Sequence, residues 1–421
     1  MLFKLLLIFF AYLPFQIALS PSAGVDLASA RVFILVLFFV FLAESFRKKR
    51  LFIQSSRANF FLLSFLFLSF FSLFFAQNEM WSLRKFLFLL SIAPLYFVIS
   101  NVVDTREKME KVLNAMLWGG FFVAILGIAQ FTFQFIFTLD ATYQFWAKNV
   151  SPFFLGQNVT AAVLRNPSWL VNVSGVTYLR AIATFPDPHM LSFFLGMLVP
   201  FSLGFFLRFK KKAYLIMFFV LLLSDLLTFS RGGYLGLFSG ALVAFLLLIV
   251  KFRTGYKIKT TIIVAFLSVL LVSFGPISQR FFSSFNLKEG SNRGRIETWQ
   301  KAVEIISKKP VFGVGIGNYP LEVSATAGYR DPIYAHSNYL DIAAETGLLS
   351  LLAWLGFTLS LFFVFLKRAD NILFFCALIS VVIFSVHSLV ETSLYSPVVL
   401  PLFLGIAGLN CLAAQQDEKN N

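Results

Sequence analysis

About twelve apolar runs, most of them close to 20 residues long, dominate this chain, and a helix that crosses a bilayer needs about 20 such residues. By number they cover roughly 2–20, 31–46, 59–76, 84–100, 111–137, 188–207, 213–229, 233–250, 261–279, 347–366, 371–390 and 397–414. In lipid every backbone polar group must be satisfied within its own segment, and none of these runs alternates with period two, so each is read as a helix. Composition agrees: of 421 residues 58% are hydrophobic, 57 are Phe and 13% are charged, and the mean hydropathy of +0.82 lies far outside the range of soluble domains. The expected fold is all-α, a polytopic bundle of about twelve membrane helices forming one unit over residues 1–421.

Charge orders the connections. Basic clusters at Arg47 to Arg50, Asp104 to Lys111, Arg208 to Lys212, Lys251 to Lys259 and Leu366 to Asp370 all follow even-numbered runs, which makes those loops cytoplasmic. The alternate short connections, Gln77 to Ser82, Ser230 to Gly233 and Glu391 to Pro397, carry few positive charges. Both termini then lie inside the cell, and two long polar stretches, 138–187 and 280–346, lie outside, the larger one between the ninth and tenth spans. The first run, with Lys4 near its start, reads either as a cleaved signal peptide or as a retained helix, and the closeness of the second span favours retention. The net charge of +15 sits in these topology-setting clusters, which excludes a nucleic-acid-binding surface. Cys376 and Cys411 fall inside apolar runs and read as small packing residues.

The polar stretches carry the chemistry. In SNRGRIETWQKAVEIISKKP, apolar Ile296, Trp299, Val303 and Ile306 recur at helical spacing, Ser291 or Asn292 suits the cap and Pro310 follows the end. This predicts an amphipathic helix on the membrane surface or the bundle top, with Arg293 and Arg295 in its first turn, where the helix dipole disfavours cations. FGVGIGNYP, Phe312 to Pro320, has no surrounding βαβ unit and reads as a turn rather than a nucleotide loop.

DPIYAHSNYLDIAAETG, Asp331 to Gly347, places His336 just before a helix capped by Ser337 or Asn338, at the membrane surface, where an imidazole can exchange a proton near neutral pH. Arg231 lies at the outer end of a span, flanked by Gly232 and Gly233, which permit close backbone approach. Arg180, before the sixth span, falls at the same level. Several cations and one base at one surface suit a lipid diphosphate. His387 and Glu391, four apart, are read as a pair on one helix face, and Asp225 as an intramembrane carboxylate satisfied by a neighbouring helix or functional. His189, after Pro186–Asp187–Pro188, is read as shaping a helix start. No set of side chains has metal spacing, so no metal and no cofactor is expected.

TFSRGGYLGL, then RGRIETWQKAVEIISKKPVFGVGIGNY, then AHSNYLDIAAETGLL, in this order and spacing, resemble the O-antigen ligase and O-antigen polymerase superfamily of bacterial membrane proteins. The resemblance covers about residues 180–350 by motif and the whole chain by topology. It implies a metal-independent glycosyltransferase of the bacterial inner membrane, which takes a glycan from undecaprenyl diphosphate on the outer side. By motif, Arg231 and Arg295 hold the diphosphate, with Arg180 less securely placed, and His336 is general base on the acceptor hydroxyl. Where the family pattern is AHN this chain reads AHSN, which leaves the role of Asn338 open; Arg293, Asn338, His387 and Glu391 stand as supporting residues. The acceptor is lipid A core, a protein or another lipid-linked glycan, the last being polymerase action. Two other classes, a secondary transporter and a non-catalytic envelope scaffold, have no need of outer-surface cations grouped around one histidine.

Overall fold

A computed structural model describes residues 1–22, 25–47, 49, 56–165, 168–251, 275–282, 290–331 and 333–413. The chain is mostly helical. Among the described residues seven helices are long and apolar enough to cross a membrane: Ser29–Arg47, Arg57–Phe75, Glu79–Val102, Arg106–Phe137, Pro188–Phe209, Arg231–Ile249 and Leu348–Lys367. Three shorter apolar helices, Leu2–Phe15, Ile372–His387 and Val399–Ala413, and the 15-residue Lys212–Leu226 helix pack among them. The expected ninth span, 261–279, lies outside the described residues except for 275–279, which belong to a short helix, Gly275–Phe282.

Several boundaries differ from the sequence expectation. The first run is helical only to Phe15; Pro14 and then Pro21 end it, and Ala18–Ser22 pairs antiparallel with Val25–Ala28. The fourth run divides at Pro94, where the Glu79–Ile92 helix gives way to Pro94–Val102. Arg106–Phe137 runs for 32 residues, about 48 Å at 1.5 Å per residue, and so overshoots the roughly 30 Å of a hydrocarbon core. Residues 138–187 fold into short helices, Leu139–Phe145, Ser151–Leu155 and Gln157–Arg165, followed by the Leu170–Val173 and Val176–Leu179 hairpin.

Pro188–Phe209 is the most buried of the seven long helices and packs against Lys212–Leu226, Ile372–His387 and Arg106–Phe137. Its apolar character all round is what a central helix requires. Free Cys376 is buried in this interface and donates to the Pro200 carbonyl, 3.1 Å. Cys411 is also a buried free thiol.

The Gly290–Lys308 helix begins earlier than expected, so Ser291 and Asn292 lie within it and Arg295 lies beyond its first turn. Its buried face is also rotated. Ala302 and Ile305 pack on Val314, Tyr319, Ala335 and Ala344, whereas Val303 is 57% exposed. The helix therefore covers a small core of its own polar segment, which tolerates an alanine where a membrane-facing stripe would prefer Val303. Gly313, Gly315 and Gly317 all have positive φ, and they turn the chain back against Ala76 and Lys85. Helix Asn338–Thr346 follows, capped by Ser337 as expected, and Gly347 at φ 89° separates it from Leu348–Lys367.

Candidate functional site

His336 sits two residues before its helix, just ahead of the Ser337 cap, at φ 51°, a left-handed backbone that costs energy for any residue other than glycine. The surroundings enforce it: the Ala335 N–H donates to Asp341 Oδ1 at 2.8 Å, and Asp341 also accepts from the Thr392 hydroxyl. Burial pushes the Asp341 carboxyl up to about 6. Ala183 and Phe229, beside Arg180 and Ser230, adopt the same strained conformation, at φ 51° and 50°.

The His336 imidazole meets Glu391, with Nδ1 to Oε1 2.8 Å; its side chain is 38% exposed, while that of Glu391 is 8% exposed. One partner is therefore open to substrate and the other is not. Arg295 Nη2 donates to the second carboxylate oxygen, Oε2, at 2.9 Å, and His189 Nε2 lies 3.7 Å from the same atom. Burial alone would raise the Glu391 carboxyl, but His336, His189 and Arg295 outweigh it and hold the group well below the usual carboxylate range. Glu391 in turn raises His336 above the ordinary histidine value.

Glu391 lies in an irregular segment between two helices, and Asn338 holds that segment. Its amide donates to Ser388 Oγ, 2.7 Å, and Ser393 Oγ, 3.1 Å, while its carbonyl accepts from Ser393 N, 2.9 Å, and Leu394 N, 3.0 Å. The residue after the serine insertion is thus an anchor for the loop that carries Glu391. Glu345, one helix face along, accepts from Lys85, 2.9 Å, and from Tyr395, 3.0 Å.

The expected pairing of His387 with Glu391 does not form, because the helix ends at His387 and Glu391 lies beyond it. Instead His387 is buried, stacked on Phe193 with ring centroids 3.5 Å apart, and its Nε2 is 3.3 Å from Ser230 Oγ. Ser230 Oγ is 2.9 Å from His189 Nδ1. All three histidines of the chain therefore belong to one polar network.

Arg231, buried, opens the Arg231–Lys251 helix immediately after Ser230. What approaches its neighbouring glycines is side chain rather than backbone: a Cβ on Gly232 would sit 2.5 Å from the His387 ring, and one on Gly233 1.9 Å from Ser192 Oγ. Arg180 braces the same turn, donating from Nε to Thr228 O, 2.6 Å, and from Nη1 to Ser168 O, 2.8 Å, while its buried Nη2 has no hydrogen-bond partner among the described residues. Arg293 points away: it is 78% exposed and pairs with Glu297, 3.2 Å. Asp225 is buried between Gly196 and Gly233, in the bundle rather than at the site.

A cavity of about 400 Å³ opens beside this cluster, lined among others by Asp187, Thr392, Tyr334, Tyr395, Arg31 and Arg330. That volume suits a small-molecule or glycan site. Among the described residues no group of three or more His, Cys, Asp or Glu side chains is placed to hold a metal ion.

Sequence reasoning missed His189 as a member of the site and Glu391 as the partner of His336. A polar residue at the end of each of two apolar runs was the available signal, and 55 residues separate Glu391 from His336.

Residues 215–355 match the family described as O-antigen ligase, which supports the resemblance to the O-antigen ligase and polymerase superfamily. The matched segment includes Arg231, Arg295, His336 and Asn338, and excludes Arg180, His189, His387 and Glu391. Comparison with curated proteins gives no match.

Proposed function

We propose, from the O-antigen ligase family segment at residues 215–355, that this multi-pass membrane protein transfers a glycan from a lipid diphosphate, undecaprenyl diphosphate, to an acceptor hydroxyl. The observation that carries the reading is the 2.8 Å contact of His336 Nδ1 with Glu391 Oε1. A neutral imidazole that donates from Nδ1 to a carboxylate presents a bare Nε2, which is the tautomer a general base needs.

The steps balance with the residues at hand. His336 Nε2 takes the acceptor O–H proton as that oxygen attacks the anomeric carbon. The bond from that carbon to the diphosphate oxygen breaks, and its electron pair leaves on the lipid diphosphate. Arginine offsets the charge that develops there. Arg295 uses only Nη2 on Glu391, and a guanidinium has five N–H donors in all, so the carboxylate and a diphosphate fit one side chain. Arg231 and, through its remaining Nη2, Arg180 supply further cations. The cavity beside Thr392 takes the glycan portion of one substrate. The transfer is metal-independent in this scheme, and it takes place on the outer side of the bacterial inner membrane with both termini inside, a reading that the distribution of basic loops in the sequence supports.

The acceptor is lipid A core or a protein in a ligase and another lipid-linked glycan in a polymerase; the product distinguishes them. The decisive experiment is glycan transfer from undecaprenyl diphosphate in membranes carrying wild-type protein or His336→Ala at equal expression, with and without a divalent-metal chelator. Loss of transfer with donor binding retained supports the base assignment. Unchanged transfer in His336→Ala overturns it, and loss with chelator alone overturns metal independence.

A further inference from the structure

We propose that His189 is a positioning residue for the catalytic pair: it serves as a second anchor for Glu391 Oε2 and keeps Oε1 aimed at His336. The inference rests on His336 acting as base. It starts from proton counting along the network. Ser230 Oγ has one hydrogen to give, and it already accepts the Gly233 N–H at 3.3 Å as the cap of its helix. Two histidine nitrogens face it, His189 Nδ1 at 2.9 Å and His387 Nε2 at 3.3 Å.

If His189 gave its Nδ1 proton to Ser230, a neutral ring would turn a bare Nε2 lone pair towards the Glu391 carboxylate. The arrangement without that repulsion has Ser230 donating to His189 Nδ1 and His387 Nε2–H donating to Ser230. His189 Nε2–H then points at Glu391 Oε2. This order leaves His387 Nδ1 as a bare nitrogen, and Nδ1 is the His387 atom that is buried without a partner. Every donor in the chain is directed towards one carboxylate, and such aligned bonds reinforce one another.

The last contact, 3.7 Å, is longer than a hydrogen bond, and a closure of about 0.8 Å brings it to ordinary N–H···O length. Oε2 has room for both donors, because each carboxylate oxygen accepts two hydrogen bonds, so Arg295 stays in place as His189 closes. The other charged and titratable groups near this pair are Arg180, Asp187 and His387, and Asp187 already accepts the His189 and Met190 backbone N–H groups at 2.8 and 3.0 Å. His189 lies in the first turn of the Pro188–Phe209 helix, so a side-chain change there leaves that backbone cap in place.

The test compares wild type, His336→Ala, His189→Ala and His189→Gln in full-length protein in membranes, with kcat followed against pH and the donor KM measured. Glutamine returns one N–H near the position of Nε2 without a titrating ring. By analogy with groups that orient metal ligands, His189→Ala lowers kcat by about 10–100-fold with little change in donor KM. Its acid limb moves to higher pH, because the carboxylate charge, no longer shared with a His189 N–H, acts more fully on His336. His189→Gln recovers most of the rate and restores the limb. Equal losses in both variants with an unmoved acid limb overturn the proposal and leave His189 as packing. Absence of transfer by wild type, or full transfer by His336→Ala, instead overturns the functional reading on which it rests.

Discussion

Replacing Asn338 by Ala tests whether the Glu391 segment is held as described. The wild-type amide makes four side-chain hydrogen bonds, to Ser388 Oγ, Ser393 Oγ, Ser393 N and Leu394 N, and the residue is fully buried. At a net 0.5–1.5 kcal/mol each, their loss costs about 2–6 kcal/mol, a large part of the roughly 5–15 kcal/mol that stabilises a typical domain. Asn338→Asp retains the acceptor for the two backbone N–H groups, but it places a carboxylate in a fully buried site, and that desolvation offsets what the retained bonds recover. Other contacts remain in Asn338→Ala, among them the backbone bond from Asn338 N to Ser388 O, the Thr392 to Asp341 bond and the pairs of Glu391 with His336 and Arg295, so the expected result is a loosened segment rather than a lost fold. Thermal unfolding in detergent should rank wild type above Asn338→Ala, and transfer activity should follow the same order. Equal unfolding midpoints for wild type and Asn338→Ala, with full transfer, would refute the anchoring argument.

Glu391→Gln should lower kcat by about 10²–10⁴-fold, the usual worth of a positioned base, and should move the acid limb to lower pH because Glu391 is what raises His336; a pH–rate profile reads both. The same pair predicts a stability window. His336 is raised, so its contribution is complete below the ordinary histidine value of 6.5 and is lost as pH rises through the folded value; Glu391 is lowered, so its contribution is complete above the ordinary glutamate value of 4.5 and is lost as pH falls through the folded value, which makes the pair strongest between these limits in unfolding measured across pH. Gly232→Ala forces a methyl against the His387 ring, which its stack on Phe193 confines, and should cost about 1–3 kcal/mol of stability in detergent unfolding. Arg293→Ala, which loses one exposed i,i+4 pair worth about 0.3–0.5 kcal/mol, should leave transfer near wild type, whereas Arg295→Ala should abolish it.

The helices were legible in the sequence because length and hydropathy decide them almost alone. Their interruptions were less so, although Pro14 and Pro94 were visible, because an apolar count does not register a missing N–H. The outer helix was found from its period but its buried face was misassigned: Ala302 carries little hydrophobic weight, yet it lies where Val314 and Tyr319 pack. Motif order singled out His336, Arg231 and Arg295, and the structure brings two of them, His336 and Arg295, onto the one carboxylate of Glu391. Glu391 was misread because spacing suggested a helical partner four residues away, whereas the helix ends at His387 and the carboxylate turns to a loop 55 residues distant. The approach of His189 to Glu391 was hidden because its neighbours Asp187 and Pro188 account for the helix start by themselves.

The three positive-φ glycines, Gly313, Gly315 and Gly317, act as a hinge pin driven home. A Cβ at Gly313 would lie 2.4 Å from Ala344 O and one at Gly315 2.5 Å from Ala76 Cβ, so this turn is wedged between the outer helices and the amino-terminal half of the bundle. Ser82 and Asn318 bolt it further, with Ser82 donating to Ile316 O at 2.6 Å and Asn318 Nδ2 to Ser82 Oγ at 2.8 Å. The polar segment that carries His336 is therefore seated like a keystone and not hung like a flap, so the geometry around the His336 and Glu391 pair is set by the fold itself.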